Sequence, residues 1–184
     1  MKTTSSQRIA DLTKAGYWGS DTLHGLLAGH AATRGQSLAV KDQPNREQLT
    51  GDEPLSLNWA DLEVASENLA LQLQNHGVVE DTAVMVQLPN IVELLVVYYA
   101  LSKLGAIVSP VPVQYGRHEL QGLADALDAR FMITLRQFKD SELAATARDA
   151  LPQVAVLSFG ADLGIDTSDN SQRCQRAQDD ANRI

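Results

Sequence analysis

The chain has 184 residues, 44% of them hydrophobic, enough for one sizeable core. Its 23 acidic and 15 basic residues give a formal charge of −8, and the basic residues are scattered, which excludes a nucleic-acid surface built on clustered Lys and Arg. The single cysteine, Cys174, cannot form an internal disulfide, fits a reducing compartment and has no neighbouring base that would make it a nucleophile.

The first sixteen residues, MKTTSSQRIADLTKAG, contain no apolar stretch of the kind a secretory signal needs, so a cytoplasmic location is expected. Leu23, Leu26, Leu27 and Ala31 recur at helical spacing and predict a helix over 21–34 that Gly35 ends. SLAVKD (37–42) reads as a strand, and QPNREQLTGDEP after it as a polar turn. LSLN then leads into a helix in which Asn58 and Asp61 have cap-and-return spacing, Leu62, Leu69 and Leu73 mark the inner stripe, and Gly77 is the stop.

The most apolar stretch follows, QLPNIVELLVVYYALSKLGAIVSPVP (87–112). Its longest unbroken apolar run, Leu94 to Leu101, is eight residues and is closed by Glu93, Ser102 and Lys103, whereas a spanning helix needs roughly 20. A membrane helix is therefore excluded. The spacing predicts a helix over 91–104, capped by Asn90 with Glu93 returning the bond, and enclosed because it is apolar on all sides. Strands are expected at 83–88, 107–112, 131–135 and 154–159, with helices over about 117–129 and 140–150 between them. Strand starts 23 or 24 residues apart, each strand a continuous apolar run, indicate strand–helix–strand units in a parallel sheet flanked by helices. The fold class is thus α/β, with a small extra strand–helix section before the sheet. Residues 161–184 show no periodicity and read as a flexible tail.

The usual chemical signatures are missing from the sequence. The connector after the first parallel strand is Pro89-Asn90, with no glycine loop for a pyrophosphate, and no G-x-x-x-x-G-K-[ST] or G-x-S-x-G occurs. His118-Glu119 opens like a zinc-protease motif, but Gly122 stands where the second histidine belongs. His24, His30, His76 and His118 lack ligand spacing, and His76 at a helix end reads as a dipole partner. Trp59, Tyr98 and Tyr99 read as packing residues rather than substrate platforms.

Taken together, the segment from Gly16 to Phe159 resembles the N-terminal subdomain of the adenylate-forming acyl- and aryl-acid ligases. The resemblance rests on Asn58-Trp59-Ala60-Asp61-Leu62, on Gly77-Val78-Val79-Glu80-Asp81-Thr82-Ala83-Val84, on Pro89-Asn90 at a helix start, and on Leu101-Ser102-Lys103-Leu104-Gly105-Ala106 with Pro110. Asn58 stands where the family has Ser or Thr, and Glu80 where it often has Gly. AGYWGSDTLHGLL (15–27) is similar to the entry of 2,3-dihydroxybenzoate–AMP ligases and of cyclic or aromatic acid–CoA ligases.

The resemblance implies activation of a small carboxylic acid with ATP and Mg²⁺, then transfer to CoA or a carrier-protein pantetheine. In such ligases the phosphate loop, acid pocket, ribose-binding Asp and catalytic Lys lie further along the chain. Residues 1–160 are therefore expected to be the N-terminal subdomain, with 161–184 leading toward the ATP-binding half. No residue here is assigned a catalytic, cofactor-binding or metal role, and the chain alone is expected to bind no cofactor and be inactive. Its expected partner is the remainder of the ligase polypeptide, with neither nucleic acid nor membrane. An uncovered sheet edge or apolar face would also favour a homodimer. The alternative is a free-standing, non-catalytic interaction or regulatory module of the same fold.

Overall fold

The computed structural model describes residues 4–175. Two helices come first, α1 (Ser6–Lys14) and α2 (Leu23–Arg34). A short antiparallel ribbon follows, β1 (Leu38–Lys41) and β2 (Ser56–Asn58), with helix α3 (Arg46–Thr50) between its strands. The long helix α4 (Trp59–Asn75) leads to the parallel part: β3 (Ala83–Gln87), α5 (Val92–Leu104), β4 (Ile107–Pro110), α6 (Arg117–Leu127), β5 (Phe131–Leu135), α7 (Leu143–Ala150) and β6 (Ala155–Phe159). The α/β class, the parallel sheet and the extra N-terminal section agree with the sequence reading.

The sheet order is β4-β3-β5-β6, all parallel. The chain steps one way from β3 to β4 and then back past β3 to β5. With right-handed crossovers, opposite steps put the connecting helices on opposite faces. Accordingly α5 packs with α4 and α2 on one side, and α6 packs with α7 on the other. Alternate strand residues serve the two layers. Val84, Val86, Ile133, Leu135, Leu157 and Phe159 join the α4/α5 core, while Met85, Met132 and Val156, in register, sit with Leu120, Ala124, Ala147 and Ala150.

Helix α5 is nearly encircled. Val92, Val96, Val97, Ala100, Leu101 and Leu104 are buried, and of its apolar residues only Leu95 is exposed beyond a third, at 38%. The eight-residue apolar run is core, as its period-free pattern implies. Asp81 adopts φ 63 in the turn before β3 and donates its amide to the Gly105 carbonyl, so the turn forms with Glu80 where glycine is common.

Three local expectations are revised, and a fourth holds with a different geometry. The N-cap of α5 is Ile91, without a side-chain bond, and the Val92 amide is instead capped by Asp42 from beyond β1. The turn 43–54 contains α3, whose Arg46 is buried. In α2 the inner face is His24 and Leu27, while Leu23 and Leu26 are about half exposed. Gly35 does end α2, though not by a left-handed turn: a Cβ there would meet the Ala31 carbonyl at 2.7 Å and the Ala60 methyl at 3.3 Å, where the start of α4 crosses.

Residues 161–175 contain no helix or strand, as their lack of periodicity implies, yet they lie along α4. Leu163 and Cys174 are buried and Ile165 packs on the core. The rest of the expected tail, 176–184, lies outside the described residues.

The enclosure of α5 sets an expected contrast. Leu101→Ala should cost about 2–5 kcal/mol in urea unfolding, whereas Leu95→Ala should cost less than about 1 kcal/mol. Equal costs would mean that the helix lies on a surface.

Candidate functional site

Ligands of open parallel sheets bind beyond the carboxyl ends of the strands, where the strand order reverses. Here that point lies between β3 and β5, whose following helices depart to opposite faces. Three buried polar residues stand there in register, Gln87, Thr134 and Ser158. The Gln87 amide nitrogen donates to the carbonyls of Pro112 at 3.2 Å and Tyr115 at 2.9 Å, which fixes the loop from β4 to α6. Thr134 donates its hydroxyl to the Gln87 carbonyl at 3.1 Å. The Ser158 amide donates to Asp162 at 2.9 Å, and Arg148 donates to the same carboxylate oxygen at 2.7 Å. The Gln87 Oε1 accepts no hydrogen bond from the described residues. This row ties strand ends to loops; its hydroxyls bond a carbonyl and a carboxylate, and no histidine base is among these partners.

The amino end of α5, the natural place for a phosphate after β3, is already occupied by a carboxylate. Asp42 accepts the Val92 amide at 2.8 Å with one oxygen and the Leu55 amide at 2.9 Å with the other. That second oxygen also receives Arg46, which reaches Glu93 with both terminal nitrogens, one at 3.0 Å. All three residues are at most 5% exposed. Burial would lower the Arg46 pKa, but hydrogen bonds and charge from Glu93 and Asp42 outweigh it and raise the value. Burial pushes Glu93 up; Arg46 offsets only part of this, and the like charge of Asp42 adds to it.

A second charge cluster closes the other end of α5. Lys103, fully buried, donates to Glu63 at 2.6 Å and to Glu67 at 3.2 Å. Glu67 also accepts the Cys174 amide at 2.8 Å. Burial would raise the Glu67 pKa, yet the Cys174 amide and the Lys103 charge overcome it and hold the value at about 2. Sequence reasoning treated Glu93 and Lys103 as boundaries of the apolar run and did not find their partners. The signal for Arg46 was its position four residues after Asp42, inside a stretch that reads as a turn.

The remaining sequence candidates are spread over the fold. His24 lies between α2 and α5, with Nδ1 at 3.0 Å from the Ser102 hydroxyl and Nε2 at 3.3 Å from the Thr22 hydroxyl. His30 meets the Trp59 ring at 4.6 Å between centroids, and Arg34 covers the same ring at 4.8 Å. His76 is the exposed C-cap of α4, and His118 is exposed in the first turn of α6. Tyr98 and Tyr99 pack against the core, and burial raises the Tyr99 pKa. Among the described residues no group of His, Cys, Asp and Glu is placed to hold a metal, and no helix is long and apolar enough to cross a membrane.

The model of the AMP-binding enzyme family matches residues 37–183. Enterobactin synthase component E of Escherichia coli K12 is 35% identical over 124 residues, 66% of this chain and 20% of that protein. The 2-hydroxy-7-methoxy-5-methyl-1-naphthoate–CoA ligase of Streptomyces carzinostaticus is 28% identical over 180 residues, 95% of this chain and 30% of that ligase. Among solved structures, NpsA-ThdA, an artificially fused adenylation–PCP di-domain from Klebsiella oxytoca, superposes with a TM-score of 0.64 at 18% identity, over 89% of this chain and 26% of that one. The chain thus spans less than a third of the curated relatives it is compared with here.

The charge clusters give two expected outcomes. Arg46→Ala, which leaves Asp42 and Glu93 buried without their cation, should lower stability by about 3–5 kcal/mol in urea unfolding. Glu67 has a folded pKa of about 2 against an ordinary 4.5, so its contribution is present above pH 4.5 and is lost as pH falls toward 2. Glu67→Gln should be less stable at neutral pH and should lose less stability than the parent across that acid window. Parallel stability–pH curves for the two would show that Glu67 has no such role.

Proposed function

We propose, from the premise that this chain belongs to the AMP-binding enzyme family, that it is the N-terminal portion of an ATP-dependent carboxylic acid ligase. The whole enzyme would join an acid to AMP with release of pyrophosphate, then pass the acyl group to the thiol of CoA or a carrier-protein pantetheine as AMP leaves. The observation that carries this reading is the naphthoate–CoA ligase match, which runs through 95% of this chain while using 30% of the ligase. An aromatic acid is the favoured substrate class. Its support is the naphthoate in that relative's name and the AGYWGSDTLHGLL stretch, which is similar to dihydroxybenzoate–AMP ligases.

At the place after β3 where a phosphate would sit, the residues do not fit one. The α5 amino end is closed by Asp42, and Pro89-Asn90 offers neither glycine nor a proline amide to a phosphate. The part assigned to this chain is scaffolding, so ATP, Mg²⁺ and the acyl acceptor belong to the rest of the polypeptide. A cytoplasmic setting is consistent with the single, buried Cys174. A homodimer through the outer edge of β4 is supported by Ile107, 38% exposed on that strand. The cover that residues 161–175 provide over α4 favours the second reading, a non-catalytic module of the same fold.

The test is acid-dependent ATP–pyrophosphate exchange over a panel of aryl acids, paired with the intact mass of the native protein. Expected are no exchange from this 19.9 kDa chain and a native species several hundred residues larger that does exchange. Exchange by the chain alone would overturn its role as scaffold, and a native species of 19.9 kDa would favour the second reading.

A further inference from the structure

Beyond β6 the chain turns at Gly160, whose φ of +84 lies in the left-handed region. The Ser158 carbonyl accepts the amides of Asp162 and Leu163, and the Asp162 carboxylate closes back on Ser158. From there to Gln175 the segment runs along α4 with little apolar contact. Leu163 and Cys174 are buried and Ile165 is half-buried, while most of the residues between them are exposed.

What holds it is a row of α4 side chains that bind its main chain. Asn68 donates to the carbonyls of Asp166 and Ser168, both at 2.9 Å. Glu67 accepts the Cys174 amide at 2.8 Å, and Gln74 accepts the Gln175 amide at 3.0 Å. Glu67 also meets the Cys174 side chain, while Ser168 bonds Asp166 within the segment.

We propose that residues 164–175 form a strap that opens as a unit, hinged just after the turn that Ser158 and Asp162 hold and latched by Asn68, Glu67 and Gln74, while the sheet and its helices stay folded. Segments with few buried apolar contacts and main chain held at isolated points lie at the low-stability end of a fold. The central catch is also the buried ion cluster. Glu67 shares its carboxylate between Lys103 and the Cys174 amide, so release of the strap gives water access to the Glu67 end of the pair. Hydration of that carboxylate offsets the lost bond and keeps opening reversible. Gln175, the last described residue, is bonded to Gln74 of α4, so strap opening would move that point of the chain away from the helix. This inference holds equally for a ligase portion and for a free-standing module.

Cys174 is the reporter, because it is the only cysteine and is 6% exposed. Maleimide labelling of the folded chain is measured beside urea unfolding followed by tryptophan fluorescence. Asn68→Ala, which removes two hydrogen bonds to the strap, should speed labelling about tenfold or more with little movement of the urea midpoint. Gln74→Ala should act in the same direction with a smaller effect, and serves if the first variant folds poorly. Leu123→Ala, in the α6/α7 layer, should lower the midpoint and leave labelling at the parent rate. Labelling that follows the urea midpoint through all three variants would mean that Cys174 is exposed only by global unfolding, and would overturn the strap. Unchanged labelling in both Asn68→Ala and Gln74→Ala would do the same.

Discussion

One guanidinium fixes how the N-terminal third of this protein meets the parallel sheet. Arg46 is held out of water between Asp42 and Glu93, and a charge in that position persists only if its partners are in place. Asp42 follows β1, Arg46 lies four residues on in α3 and Glu93 lies in the first turn of α5, so two stretches 47 residues apart in sequence must converge. Asp42 also caps α5 through the Val92 amide and anchors the approach to β2 through the Leu55 amide. The start of the central helix is set by a carboxylate from another element.

The far end of α5 repeats the arrangement with opposite sign. Glu93 lies in its first turn and Lys103 in its last, the placement that complements the helix dipole, and each is buried against a partner from elsewhere. Between them the helix is apolar on nearly every side. Apolar burial is non-directional and would tolerate rotation or sliding of such a cylinder. Hydrogen-bonded charges are directional, so a cluster at each end indexes the helix in both depth and rotation. The Lys103 cluster extends the constraint to α4 and, through Glu67, to the chain after β6.

The carboxyl edge of the sheet is tied down by polar side chains. Gln87, Thr134 and Ser158 form a buried polar row across three strands at the reversal point, and all three side chains bind main chain or neighbouring loops. The loop from β4 to α6 is held by Gln87, and the turn after β6 by Asp162 and Arg148. Shape and rigidity at this edge are what the described residues provide.

Much of the fold was legible because its physics is local. Continuous apolar runs 23 or 24 residues apart gave the parallel strands, and Phe131–Leu135 begins and ends where the run does. Asn58 caps α4 from its own sequence neighbourhood, accepting the Asp61 amide at 2.7 Å. The family, too, could be read from the ordered fragments around Trp59, Pro89 and Gly105. The cap of α5 could not, because Asp42 replaces Asn90 from fifty residues upstream of Val92. Nor could the inner face of α2, where His24 is buried because Ser102 of α5 offers it a hydrogen bond, and Leu26 is left outward. NREQLTGDEP reads as a solvated turn until Asp42 and Glu93 enclose its arginine. Sequence by itself determined the types and order of the elements other than α1 and α3, which follow from periodicity and turn chemistry along the chain, and the family, through the resemblance of those fragments. Only the tertiary structure decided which charges are buried and which side chains hold the segment after β6, because a long-range ion pair or a side-chain grip on distant main chain leaves no periodic trace.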